Sequence, residues 1–295
     1  MQTVGVLGLG AMGAPMAWNI HDAEFELVVY NRSEGPTEPF AEAGVPVADS
    51  PRDLAERVDT VLTMVTNDEA LAAVLDGADG LLAGLDGDTT VVQSSTVSVE
   101  GTEAATETVR AQNAAFVDAP VSGTVAPAED GTLTVLAGGE TEEIDAVEPV
   151  LDAVGDPVVR CGEAGNGTRM KLFVNLLLGD MMGAFAEALT FGAAQGLELD
   201  AMRQVVEAGA VDSPLFRSKG ENIADGDFAP RFPVDLQFKD LRYANEAAND
   251  AGVTLPQTAA ARESFSAASA MGHGEEDMAA VLKYFESVAG LTVGE

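Results

Sequence analysis

Lys171 and Asn175 stand four residues apart in the stretch Gly162-Glu-Ala-Gly-Asn-Gly-Thr-Arg-Met-Lys-Leu-Phe-Val-Asn175. The stretch opens with three glycines and runs into apolar sequence that keeps a helical pattern past Met182 and Phe185. On a helix, side chains four apart lie on one face, a turn from each other. An ammonium beside an amide, just inside a glycine-rich helix start, can hold a small oxygen-bearing substrate and move a proton on it. Taken alone, the stretch reads first as a lysine snorkelling from an amphipathic helix next to a hydrogen-bonding asparagine.

A second chemical signal lies at the other end of the chain. Residues 3–8 form a short β-branched run ending in Gly8-Leu9-Gly10-Ala11-Met12-Gly13, and a helical pattern follows from Ala14 to about Asp22 before a second strand at 26–30. Glycines between a strand and a helix allow a tight turn and close approach of a pyrophosphate, which the helix N-terminus then favours. Strand and helix in place make this more than a bare Gly-x-Gly-x-x-Gly match, although a tight turn without a ligand has the same pattern. After the second strand the chain reads Asn31-Arg32-Ser33. An acidic residue there would accept hydrogen bonds from a ribose, whereas a neutral Asn followed by Arg and Ser can grip a 2′-phosphate. The expected cofactor is NADP(H), with NAD(H) possible; the competing reading of Arg32 is a solvated loop residue.

The elements that must position these residues alternate. Strands are expected at 59–64, 89–93, 115–118, 132–137 and 157–160, and helices from 68, at 99–112 and at 142–154. Such βα alternation predicts an α/β fold with a doubly wound sheet and ligands at the strand C-terminal ends, where loops 64–67, 94–96 and 119–124 should meet. After Asn166 strand-like runs stop. Helical periodicity predicts helices near 166–195, 200–209, 213–225, 234–251, 256–271 and 275–289, separated by Gly, Pro or Asp. The expected organisation is a nucleotide-binding domain over residues 1–163 and an all-α domain over 164–295 that begins with the long interdomain helix.

Composition narrows the function further. The 295 residues carry 49 Asp and Glu against 15 Lys and Arg, a net charge of −34. Nucleic acid and anionic membrane surfaces would repel such a protein, and acid scattered along the chain suits a cytosol of high salt, where screening tolerates self-repulsion. Cys161 is the single cysteine, and His21 and His273 have no partner spacing, so no disulfide, metal site or Ser-His-Asp triad is expected. No apolar run of about 20 residues lacks a charge, which reads as a soluble, cytoplasmic protein. None of Tyr30, Tyr243 and Tyr284 is followed by Lys at four residues. A buried lysine is then the best remaining proton carrier, since desolvation favours the neutral amine.

Taken in order, Gly8-Leu-Gly-Ala-Met-Gly13, Asp118-Ala-Pro-Val-Ser-Gly123, Gly165-x-Gly167-x-x-x-Lys171-x-x-x-Asn175 and Lys239-Asp240 resemble the β-hydroxyacid dehydrogenase family over essentially the whole chain. The resemblance implies a Rossmann-type first domain and an oxidoreductase that interconverts a small β-hydroxy acid, such as 3-hydroxyisobutyrate, and its semialdehyde. A glyoxylate or succinic semialdehyde reductase is the alternative substrate class, and a non-catalytic NADP-binding module the alternative role. By the same resemblance Lys171 is the catalytic proton donor and acceptor, with Asn175 oriented on the substrate. Ser122, Gly123 and the neighbouring Thr124 would anchor a substrate carboxylate. Met64, Val65, Thr66 and Thr96 would face the nicotinamide side of the cofactor, and Lys239 would close over it with support from Asp240. A homodimer or homotetramer is also implied. Thr124 departs from the pattern, because the family has a second glycine there; a positive φ at that position would strain a threonine. Asn166-Gly-Thr-Arg169, with no Trp, departs from the signature of the 6-phosphogluconate branch, and Lys171 is absent from most imine reductases of the superfamily.

Overall fold

A computed structural model describes residues 2–294. The chain forms two compact units, the first ending at Lys171 and the second beginning at Leu172.

The first unit follows the order β1 (Thr3–Leu7), α1 (Gly13–Asp22), β2 (Glu26–Tyr30), α2 (Glu38–Glu42), α3 (Pro51–Ala55), β3 (Thr60–Thr63), α4 (Asp68–Leu75), β4 (Thr90–Gln93), α5 (Val99–Arg110) and β5 (Ala115–Asp118). It continues with β6 (Val121–Ser122), α6 (Val125–Glu129), β7 (Thr134–Gly138), α7 (Thr141–Val154) and β8 (Val158–Gly162). Strand order is β2-β1-β3-β4-β5-β7-β6, with β8 beside β7. The five strands from β2 to β5 are mutually parallel. β7 turns antiparallel to β5 and β6, so the doubly wound pattern covers the first five strands and the last three form an appended edge.

Period-two alternation explains why both sheet faces are covered. Val4, Val6, Val29, Leu62, Val92 and Val117 join one core with Met16 and Ile20 of α1 and Ile144, Val147 and Leu151 of α7. Leu7, Val28, Val61, Val91 and Phe116, pointing the other way, join a second core with Leu54, Leu71, Leu75 and Val109. Strands buried on both faces read as continuous apolar runs, as these do. β1 lies between β2 and β3, and the chain winds outward from it in both directions. The crevice at such a reversal is where doubly wound sheets bind ligands.

The long helix α8 (Asn166–Ala194) leads into α9 (Leu199–Ala208), α10 (Pro214–Ala224), α11 (Val234–Asp250), α12 (Pro256–Ala268) and α13 (Val281–Ala289). Met182, Phe185, Ala186 and Leu189 recur at i, i+3, i+4 and i+7 on α8. They meet Ile223, Leu241, Phe265, Val281 and Leu282 in the core of the second unit. By length and composition α8 could cross a bilayer, but this buried stripe gives its apolarity another use. The helices expected at 256–271 and 275–289 are each interrupted. α12 gives way to a wider turn at Ser269–His273 around Gly272 at φ 97, and a 3₁₀ turn at Met278–Ala280, capped by the Asp277 side chain, precedes α13. Strand β6 and the short helices α2, α3 and α6 lie in stretches whose periodicity is too brief to announce an element.

Candidate functional site

The loop after β1 is built by contacts that exclude side chains. Gly8 has φ +96, and a Cβ there would strike the carbonyl oxygen of Met64; one on Gly13 would strike the carbonyl oxygen of Gly8. The β1 and β3 loops therefore touch through backbone, and α1 starts directly above Gly8. At Gly10 the position a Cβ would take faces open space. This is the cradle a pyrophosphate needs: free approach to backbone at a helix N-terminus. Asn31 ties the loop to the end of β2, since its Oδ1 accepts from the Leu9 N–H at 3.0 Å while its Nδ2 donates to the carbonyl and hydroxyl oxygens of Ser33.

Gly8, Gly10, Asn31, Arg32, Met64, Val65 and Thr66 line one cavity of about 550 Å³, which continues along Ala70, Val74 and the turn Asp76–Gly80. Among the described residues Arg32 is the sole Lys or Arg of that lining, which also includes Asp76 and Asp79. Leu9 is buried beneath the loop, Ala11 and Ser33 are exposed on its rim, and Met12 packs on the first core. The residues present fit a dinucleotide.

Ser95 is a residue that motif reading missed. Fully buried, its hydroxyl accepts from the Val65 N–H at 2.8 Å, and its own N–H donates to Gln93 Oε1. This joins the loops after β3 and β4 and fixes the backbone leading to Thr96, which is half-buried and outside the cavity lining. A serine at the buried end of a strand was the available signal.

Asp118 is the second missed residue, and it governs the start of α8. It is fully buried, and its two carboxylate oxygens accept from the backbone N–H groups of Gly165 and Thr168, both at 2.7 Å. A Cβ on Gly167 would overlap the carbonyl oxygens of Leu136 and Asp118, so the glycine lets the helix start sit on the sheet end. Burial pushes the Asp118 carboxyl up to about 6, and the hydrogen bonds from α8 restrain the rise. Asp118 also opens the segment that leads through β6 to Ser122 and Gly123. One carboxylate thus sets the start of the Lys171 helix.

At residues 122–124 the strain that a positive φ would impose on Thr124 does not arise. Thr124 is extended, with φ −110, and precedes α6. The position that requires glycine is Gly123, at φ +147, where a Cβ would press on Leu133. Ser122, Gly123 and Thr124 do not line the 550 Å³ cavity.

Lys171 and Asn175 are both buried, on successive turns of α8. Within the second unit, Asn175 Nδ2 donates to Asp240 Oδ2 at 2.5 Å, and Lys239 Nζ lies 2.8 Å from Asp240 Oδ1. Gln237, one turn earlier on α11, donates through Nε2 to the Asn175 carbonyl oxygen at 2.9 Å. The close approach depends on Gly179, where any Cβ would meet Gln237 and Leu241. Asp240 therefore holds Asn175 as well as Lys239. The Lys239-Asp240 pair, readable alone as a surface ion pair, is largely buried, with side-chain exposures of 14% and 2%.

Residues 3–162 match the family model described as the NAD-binding domain of 6-phosphogluconate dehydrogenase, and residues 165–285 match that of NADP-dependent 3-hydroxyisobutyrate dehydrogenase. The chain belongs to the β-hydroxyacid dehydrogenase family. It is 37% identical to an L-threonate dehydrogenase from Cupriavidus necator, covering 97% of each chain. It is 33% identical to glyoxylate/succinic semialdehyde reductase 1 of Arabidopsis thaliana over 95% of this chain and 97% of that one. The structure of 3-hydroxyisobutyrate dehydrogenase from Mycobacterium tuberculosis with L-serine superposes at a TM-score of 0.88, with 28% identity over 96% of this chain and 98% of that one. The chain is an NAD(P)-dependent oxidoreductase of hydroxy acids and their oxo partners.

Proposed function

We propose that this enzyme prefers NADP(H) and interconverts a small β-hydroxy acid and its semialdehyde, with residues 1–163 binding the cofactor and residues from 164 carrying the catalytic helix. The observation that supports it best is Lys171, buried one turn before Asn175 on a helix whose start is held by Asp118. The cofactor supplies or accepts the hydride at the reacting carbon. Lys171 gives a proton to the carbonyl oxygen in reduction and removes it from the hydroxyl in oxidation. Ser122 and Gly123 hold the substrate carboxylate through a hydroxyl and backbone amides, with Thr124 beside them. Met64, Val65, Thr66 and Thr96 bound the nicotinamide side, and Lys239 covers the cofactor with Asp240 behind it. Arg32 and Ser33 grip the 2′-phosphate; among the described residues Arg32 is the one cation in a cavity wall that also carries Asp76 and Asp79.

The net charge supports work in a salty cytoplasm. A homodimer or homotetramer is supported by the exposed apolar side chains Met170, Phe173, Leu177 and Phe191 on α8. A reductase of glyoxylate or succinic semialdehyde remains the second reading, favoured by the likeness to the plant enzyme. Oxidation of NADPH and NADH at high KCl, with glyoxylate and with succinic, methylmalonate and tartronate semialdehydes, tests both. Faster turnover with NADPH on a β-oxo acid is expected. Preference for NADH would refute the role of Arg32, and turnover confined to glyoxylate or succinic semialdehyde would replace the first substrate class by the second.

A further inference from the structure

The chain carries four lysines among its 15 Lys and Arg: Lys171, Lys219, Lys239 and Lys283, each buried or half-buried. Lys171 and Lys239 belong to the proposed site. The other two both act on the segment between α10 and α11. Lys219, on α10, places Nζ 2.8 Å from each carboxylate oxygen of Asp277, and the pair is buried, with side-chain exposures of 6% and 0%. Asp277 also accepts from the backbone N–H groups of Arg231 at 3.3 Å, Phe232 at 3.2 Å and Ala279 at 3.0 Å. Lys283 lies over the Phe228 ring, 4.2 Å from its centroid, and pairs with Glu276.

A buried ion pair seldom adds stability over an apolar pair of the same volume, because both charges lose their water. What this one provides is geometry. The turn that Asp277 occupies carries the start of α11. The Val234 N–H donates to the Glu276 carbonyl oxygen at 2.9 Å and the Asp235 N–H to that of Gly274 at 3.0 Å. The turn thus holds two of the leading N–H groups that no carbonyl within the helix can serve. Gln237 and Asp240, which hold Asn175, lie within the next two turns of α11. We propose that Asp277, locked by Lys219, is a positioning residue for the reaction. It fixes the start of α11 and so fixes where that helix brings Asp240 and Lys239 beside Asn175. This rests on the reading that the Asn175–Asp240–Lys239 network serves catalysis.

The test is a double-mutant cycle on kcat/KM for the best semialdehyde of the panel above, at saturating NADPH and high KCl. Asp277→Leu alone should lower kcat/KM by about 10-fold or more, since the Arg231 and Phe232 N–H groups lose their acceptor and Lys219 its partner. In an Asp240→Ala background the same change should cost less than about threefold, because the network through which Asp277 acts is already broken. A residue that serves overall stability alone would lower both backgrounds by the same factor. That result overturns the proposal, as does a loss below about threefold for Asp277→Leu in the otherwise unaltered enzyme. If Asp277→Leu does not fold, Lys219→Met/Asp277→Leu, which leaves neither charge unpaired, takes its place in the cycle with the same expectations. Near-native kcat/KM in Asp240→Ala would refute the network reading and the proposal together. A loss in Asp240→Ala with equal factors at Asp277 in both backgrounds refutes the proposal alone.

Discussion

The groove at the β1 and β3 loops, the proposed cofactor site, and the Asn175–Asp240–Lys239 network are built by opposite means. The groove is made of backbone: Gly8 and Gly13 are needed for what they lack, specific side chains enter at Asn31 and Arg32, and Ser95 is buried behind Val65. Its essential contacts span short loops at neighbouring strand ends. The network is made of side chains that meet only because α11 lies close on α8 at Gly179, more than sixty residues away in sequence. A backbone site tolerates no added atom but is indifferent to most side chains, whereas a side-chain network tolerates shape changes and fails when a partner is removed.

That contrast can be broken by substitution. Gly13→Ala places a methyl group on the Gly8 carbonyl, which must move. NADPH affinity, measured by fluorescence titration, should fall by about 100-fold or more, since both the turn and the helix N-terminus are displaced. Unchanged affinity would show that the loop is not the pyrophosphate cradle. Asp240→Ala should reduce kcat/KM by about 10- to 100-fold and weaken NADPH binding less than Gly13→Ala does, because it frees the Asn175 amide and removes the carboxylate beside Lys239. A loss of NADPH affinity as large as that of Gly13→Ala would erase the contrast between network and groove.

A smaller effect is expected at Asp118, which holds the start of α8. Its folded pKa, about 6, lies above the ordinary carboxyl value of 3.8. The stabilisation that the neutral form contributes is therefore complete below about pH 4 and lost as pH rises through 6, a change of about 3 kcal/mol. Asp118→Asn removes the titration. Denaturant unfolding of the two proteins at pH 4 and 7.5 should show the wild type gaining relative to the variant at the acid end. A difference independent of pH would mean that the carboxylate is not desolvated.

The same contrast explains how much could be read before the fold was known. The groove was readable because its requirement is local: a strand, three glycines and a helix within twenty residues. Lys171 and Asn175 were readable as a pair through helical spacing. Ser95 and Asp118 were not, because a buried serine or aspartate at a strand end looks like any loop residue until the N–H groups it serves are located. Whether Thr124 is strained could not be read, since motif position does not reveal which member of Ser-Gly-Thr takes the positive φ; it is Gly123. The bound end of Asn175 depended on Asp240, whose approach no local pattern announces.

The most direct measurement is a single-turnover reduction by Lys171→Ala with NADPH already bound and the best semialdehyde added at high KCl. Lys171 as the proton carrier predicts NADPH affinity within a few-fold of wild type and a hydride-transfer rate lower by about 10²- to 10⁴-fold. A rate close to wild type, with NADPH bound, would contradict the assignment of Lys171 and with it the proposed chemistry of this site.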